Sequence, residues 1–427
     1  MNEQMLYRER IADVMLKEQL EAAGAVLIQG PKWCGKTTTA RQQAKSVLNM
    51  DHPKMMKEYM MLAENDPEVL LEGDVPRLLD EWQLAPQLWD TARYVIDQRG
   101  VSGQFIFTGS AVPADKSKIS HTGTGRFAWL NMRTMSLWES GESNGKVSFV
   151  DLFAGQMKSS VAPDISLEEM AYVLCRGGWP GTLGKKRDAA LRMASNYVRA
   201  ICENDISRVD DVQRDPDFVM RLLRAYARHQ GGQVPVSTLY SDLMSNGGNS
   251  LTENTISSYI SALKKIFVIE DMPAWNPNLR SKTAIRTSDT RYFVDPSVAT
   301  AALGLGPKDL MKNLTTFGLL FETMAVRDLR VYADAIGGKV YHYRDHNGLE
   351  CDTVVHLPNG HYGLVEIKLG GETLIEEGAA SMKKLASKID TTKMETPSFK
   401  MVFTAVGTYA YQRKDEVLVV PIGCLKD

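Results

Sequence analysis

The chain has 427 residues, 44% of them hydrophobic and 24% charged, and a formal net charge of −2. That is ample apolar material for two or three globular domains, no repeat or low-complexity tract is present, and the near-neutral balance supplies no global field for nucleic acid or anionic lipid. Five scattered cysteines without a C-x-x-C pair exclude a zinc ribbon or disulfide framework, and no apolar run approaches the roughly 18 residues of a membrane helix.

Residues 3–23, rich in Glu, Leu, Met and Ala, read as an amphipathic helix ahead of a first strand. Ala25-Val26-Leu27-Ile28 has no polar break, the pattern of a buried parallel strand. Gly30, Pro31, Lys32, Trp33, Cys34, Gly35, Lys36 and Thr37 then spell G-x-x-x-x-G-K-T, the phosphate-binding loop. Thr37 onward, TTTARQQAKSVL with Thr38 in its first turn, predicts a helix. Glycines let successive N–H groups turn inward around phosphate oxygens, and the helix N-terminus adds unpaired donors. Lys36 is placed to reach the β- and γ-phosphates, and the Thr37 hydroxyl to take one position on Mg²⁺. Cys34 reads as a spacer and Trp33 as a cover for the loop.

Pro76 to Gln83 is an apolar run ending in Asp80-Glu81. An Asp at a strand end holds the Mg²⁺ shell, and the Glu after it polarises the attacking water. Pro76 and Arg77 make this strand atypical, and by itself Leu-Leu-Asp-Glu also fits a solvated loop. Residues 87–99 carry Leu88, Ala92, Val95 and Ile96 on one helical face. Gln104 to Ser110 is a second buried strand, and its end either presents Thr108 or Ser110 to the γ-phosphate or is a plain strand-to-loop turn. Arg126 follows a Gly-rich loop. It is either a phosphate contact, within its own subunit or from a neighbour, or a surface arginine.

In order and spacing, GPKWCGKTTTA, LLDEWQ, FIFTGSA and the later Gly-Arg resemble one large family. Its members are bacterial and archaeal AAA-type ATP-binding proteins that carry a C-terminal region of unassigned function. The resemblance covers about residues 1–155 and implies a P-loop αβα sandwich with ATP and Mg²⁺ at the strand ends.

Further along, Ser166 to Arg176 predicts a Ser-capped helix, followed by the Gly177-Gly178-Trp179-Pro180-Gly181 turn that recurs in the same family and reads as structural. Residues 186–206 predict another helix. Residues 217–275 read as three helices, the last starting at Thr252, with Arg280, Lys282, Arg286 and Arg291 in the stretch behind them. That outlines a winged helix-turn-helix. The exposed face of its third helix carries Asn254, Ser257, Ser258 and Ser261, without the basic residues a DNA reader brings to phosphates.

Residues 315–332 predict a helix carrying Glu322. Two strands, 349–356 and 361–369, flank Pro358-Asn359-Gly360. A two-residue turn would put Asp352 and Glu366 on opposite faces; a three-residue loop puts them opposite each other. Pro-Asn-Gly suits the longer loop, a type I turn followed by a left-handed Gly. Asp followed by Glu-x-Lys on a hairpin resembles the metal site of restriction-endonuclease-like nucleases, where two carboxylates hold a hard cation. The resemblance implies Asp352 and Glu366 as ligands, Lys368 as a charge stabiliser and Glu322 as the helix carboxylate. An ion-paired edge hairpin is the plainer reading.

The expectation is an α/β protein: a P-loop ATPase domain over 1–155, a helical and winged-helix module over 156–300, and a restriction-endonuclease-like domain over 301–427. Its expected activity is Mg²⁺-dependent ATP hydrolysis, by Lys36 and Glu81, that gates the nuclease-like domain. DNA is the candidate partner, a homo-oligomer the candidate assembly and the cytoplasm the expected location, with no membrane contact. The alternative is a nucleotide-dependent switch whose C-terminal module is catalytically silent.

Overall fold

Strand β1 (Ala25–Gln29) is apolar at four successive positions because both its faces are covered. Ala25 and Leu27 join a core with Trp82, Trp89, Phe105 and Phe107, while Val26 and Ile28 join another with Leu16, Leu20, Leu78 and Ile106. The computed structural model describes residues 7–109, 123–210, 212–245, 252–277 and 285–427. The chain forms two compact units. The first holds residues up to 134 with 203–214 and 261–267; the second holds the remainder.

In the first unit β1 lies between β4 (Phe105–Thr108) and β5 (Phe127–Asn131), parallel to both. β3 (Arg77–Asp80) pairs with β4, and β2 (Ser46–Asn49) closes the far edge, giving the order β2-β3-β4-β1-β5. The Ile11–Ala22 helix precedes β1, and the Gln87–Arg99 helix buries Leu88, Ala92, Val95 and Ile96 as the periodicity requires. Arg77, out of place in an apolar strand, donates to the Leu70 carbonyl and the Ser46 hydroxyl.

One expectation fails here. The helix after the phosphate loop is Lys36–Gln43 and does not continue through Ser46-Val47-Leu48. Ala44 leaves it in extended conformation, and Ser46–Asn49 becomes β2. A β-branched residue beside an open sheet edge gains more from ladder bonds to β3 than from two more helical turns.

The second unit is built on a seven-stranded mixed sheet. Its strands are β7 (Ser160–Val161), β8 (Lys339–Arg344), β9 (Glu350–His356), β10 (Tyr362–Lys368), β11 (Phe399–Thr404), β12 (Tyr409–Gln412) and β13 (Val417–Pro421), in the order β7-β12-β13-β11-β10-β9-β8. A small parallel pair, β6 (Val147–Ser148) with β14 (Leu425–Lys426), stands apart from it. The helix Glu372–Lys388 connects the parallel strands β10 and β11 and buries Met382 and Leu385. The predicted middle helices appear as Leu167–Arg176, capped by the Ser166 hydroxyl, Pro216–Arg228, Val236–Ser245 and Glu253–Lys265. Residues 186–206 do not form one helix: Arg187–Ala200 is α-helical, Ile201–Asp205 is a π turn and Ile206–Arg208 is 3-10.

The Gly-Gly-Trp turn is anchored from a distance. Gly178 N donates to Asp295, Trp179 Nε1 donates to the Ser297 hydroxyl, and Arg327 bridges Asp295 and Asp328 in the buried interior. Burial pushes the Asp328 carboxyl up to about 6, against the pull of Arg327.

Candidate functional site

The phosphate loop leaves β1 at Gln29 and enters its helix at Lys36. Gly30 and Gly35 both have positive φ, 151° and 105°. A Cβ on Gly30 would sit 1.9 Å from the Met132 carbonyl oxygen, so only glycine fits there. The loop is braced from outside by Arg10, which donates to the Cys34 and Arg133 carbonyls at 2.8 and 3.0 Å. Cys34 itself is fully buried and Trp33 is exposed.

Lys36 is largely buried, and its ammonium donates to the Gly30 and Pro31 carbonyls at 2.8 Å each. Among the described residues these hydrogen-bond partners are neutral carbonyls, and the negative charge it acts on is the Glu81 carboxylate, without an ion pair between them. Thr37 Oγ1 donates to Asp80 Oδ1 at 2.9 Å, and Thr108 Oγ1 donates to the same oxygen at 2.6 Å. Strand order explains the convergence: β4, carrying Thr108, lies between β1 and β3, and all three end at one edge. Thr37 and Asp80 form the hard-oxygen pair that suits Mg²⁺, which would neutralise phosphate charge there.

Glu81 follows Asp80 in left-handed conformation, φ 54° and ψ 40°, a strained backbone for a residue with a side chain. Burial pushes its carboxyl above the ordinary value, while a hydrogen bond from Gln83 Nε2 pulls the other way.

Arg126, singled out in the sequence, stands elsewhere. Arg126 precedes β5, whose Phe127 pairs with Ala25 at the start of β1. The phosphate loop lies beyond the other end of that strand, about five residues or ~16 Å away. Arg126 instead pairs with Asp97 at 2.7 Å and is exposed. A phosphate contact within its own subunit is thus corrected to a surface ion pair. Ser110 and the loop after it lie outside the described residues, so only Thr108 remains of that strand end. Lys32 donates to Asp205 at 2.5 Å, a partner that no motif pointed to.

In the second unit, β9 and β10 pair Val365 with Thr353 and Tyr362 with His356, the register of a three-residue loop. Leu357 N donates to the His361 carbonyl and Gly360 is left-handed at φ 91°. Asp352 and Glu366 therefore come together, as the turn chemistry required. Lys368 lies between them, 3.3 Å from Asp352 and 2.9 Å from Glu366. Ile367 N adds a 2.8 Å bond to Asp352. Burial, then the Asp352 charge, holds the Glu366 carboxyl well above its usual range. Although burial opposes its charge, Lys368 is held above its ordinary value by Asp352 and Glu366. Glu322, on the Leu314–Ala335 helix, accepts from the buried Tyr292 hydroxyl and is pushed up to about 8 by burial and by Asp352.

The expected ligand set of Glu322, Asp352 and Glu366 is thus met by an ammonium and a phenol. Among the described residues, no group of three or more His, Cys, Asp or Glu side chains is arranged to hold a metal ion. Of the basic stretch read as a wing, Arg291 is committed to Asp271 at 2.7 Å, and Arg280 and Lys282 lie outside the described residues.

Residues 22–140 match the model of an AAA domain. Residues 167–309 and 317–425 match two domains of unknown function, DUF8612 and DUF4143. With the glycine-bounded loop between β1 and its helix, the first match defines the N-terminal region as an AAA-type P-loop ATPase domain, a class that binds ATP. Uncharacterized proteins of Mycobacterium bovis and Mycobacterium tuberculosis are each 22% identical over 98% of this chain and 84% of their own length. Among solved structures, the Walker-type ATPase paby2304 of Pyrococcus abyssi covers 70% of this chain and 97% of its own, at 17% identity and a TM-score of 0.42. The Aeropyrum pernix ORC1 protein in complex with DNA covers 70% and 92%, at 13% identity and a TM-score of 0.25. No helix among the described residues is long and apolar enough to cross a membrane.

Proposed function

We propose that this protein is a Mg²⁺-dependent ATPase whose nucleotide state switches its C-terminal domain. One observation carries the first half: the Lys36 ammonium rests on two carbonyls rather than on a carboxylate, beside the Thr37–Asp80 pair. A buried cation with neutral partners attracts polyphosphate strongly, because binding adds a counter-charge without breaking an ion pair. Glu81 is the general base in this reading. Burial raises its carboxyl and so strengthens it as a proton acceptor, and its strained backbone is of the kind that gathers at reacting centres. Steady-state hydrolysis by purified protein tests this. Glu81→Gln should lower kcat by about a hundredfold or more while ATP still binds; unchanged turnover would remove Glu81 from the chemistry.

The C-terminal domain has two readings, a nuclease acting on DNA or a silent interaction module. The Lys368 bridge favours the second, since it uses the charge of both hairpin carboxylates. Supercoiled plasmid with Mg²⁺ or Mn²⁺ should remain intact. Nicking that disappears in Asp352→Ala would reinstate the nuclease.

A further inference from the structure

The phosphate loop carries a second cation, Lys32, and it is engaged by an acid from a distant stretch of chain. Lys32 Nζ is 2.5 Å from Asp205 Oδ1, and the Asp205 side chain is only 12% exposed. Asp205 ends the π turn Ile201–Asp205, a rare geometry often found at functional sites. The residues beyond that turn are braced. Ile206 and Val209 are buried. Arg214, itself buried, donates to the Ile206 carbonyl at 3.0 Å and pairs with Asp210 at 2.7 Å. Asp205 is therefore presented to the loop from a braced turn.

Lys32 lies between Gly30 and Gly35, inside the turn that would wrap a polyphosphate. A nucleotide there brings several negative charges to the cation that Asp205 already holds. An ammonium has three N–H donors, so the two anions share it and each weakens the other's hold. Asp205 would be repelled by the phosphates and left mostly buried with less of its counter-charge, a costly state for a carboxylate. That repulsion favours departure of the strap, residues 203–214, from the loop.

We propose that Asp205 is a tethered competitor for the nucleotide phosphates: it neutralises Lys32 in the empty loop, and ATP expels it, releasing residues 203–214. Asp205 is a positioning residue, since it acts through Lys32. The inference rests on the ATP-binding reading and adds to it the residue by which binding is sensed.

The full chain is titrated calorimetrically with ATP and Mg²⁺ as wild type, Asp205→Asn, Lys32→Ala and the double variant. Asp205→Asn should tighten ATP binding by about fivefold, the upper range for an ion pair of partial exposure. Lys32→Ala should weaken it, and in that background Asp205→Asn should have no further effect. Amide exchange of residues 203–214 should quicken with ATP in wild type and be insensitive to ATP in Asp205→Asn, a response that simple loss of a structural contact would not give. Asp205→Ser, which removes the same charge, should behave likewise. Unaltered affinity in Asp205→Asn, with exchange of the strap indifferent to ATP, overturns the inference while binding that is lost in Lys36→Ala keeps the ATPase reading intact. Wild-type protein that does not bind ATP overturns both.

Discussion

Lys36 and Lys368 are both lysines at the ends of sheets, both close to acidic side chains, and they end in opposite conditions. Lys36 sits at the edge where β1, β3 and β4 end and, among the described residues, donates to backbone carbonyls. The nearby Asp80 is occupied by two hydroxyls. Lys368 ends β10 and touches two carboxylates at once. The first arrangement keeps a positive charge available for a ligand; the second consumes it internally. Counting lysines and acids does not separate a binding site from a structural bridge. What separates them is whether the cation's partners are neutral or charged.

Four changes would break or sharpen that contrast. Lys36→Ala should weaken ATP binding by about a hundredfold or more, read by calorimetry; a shift under tenfold would mean that Lys36 is no freer than Lys368. Lys368→Ala should lower unfolding stability by about 2–4 kcal/mol, because it leaves Glu366 and Asp352 facing each other without a cation, measured as a fall in urea midpoint. A stable Lys368→Ala protein would show that the bridge is dispensable.

The third change concerns pH. Glu322 has a folded value of about 8 against an ordinary 4.5. The folded chain therefore holds a proton that the unfolded chain has already released, and stability must fall as pH rises through that window. Urea midpoints between pH 5 and 8 should drop by an amount worth about 3–4 kcal/mol, and Glu322→Gln should flatten the slope; an unchanged slope assigns it to other groups. Smallest of all, Arg126→Ala should keep ATP hydrolysis within about twofold, as expected for an exposed pair. A tenfold fall would place Arg126 in a neighbouring subunit's site.

Much of the molecule could be read from its residues. The phosphate loop declares itself through glycine spacing between an apolar run and a helix. The β9–β10 register follows from Pro358-Asn359-Gly360, because a type I turn with a left-handed glycine admits one loop length. Less legible were features decided by distant partners. Ser46–Asn49 became a strand because β3 offered an edge. Arg126 looked like a phosphate contact because Gly-x-Gly-Arg is local, whereas the parallel register that sends it to the wrong end of β5 is not. Glu-x-Lys cannot announce whether its lysine serves the substrate or its own neighbours. Asp205 lies in a polar stretch, ENDISRVDD, with nothing to distinguish it from other surface acids. Only the fold sets it against the phosphate loop.

The knot around Asp295 bears on how the second unit comes into being. Its acid, its arginine and the glycines it clamps lie in three separate parts of the chain. During synthesis the Gly177–Trp179 bend emerges well before Asp295 and Ser297, which hold it, and before Arg327, which balances the charge of Asp295. A shortened chain ending ahead of Arg327 would strand Asp295 without its cation, and the damage would surface first at that early bend, far upstream of the cut.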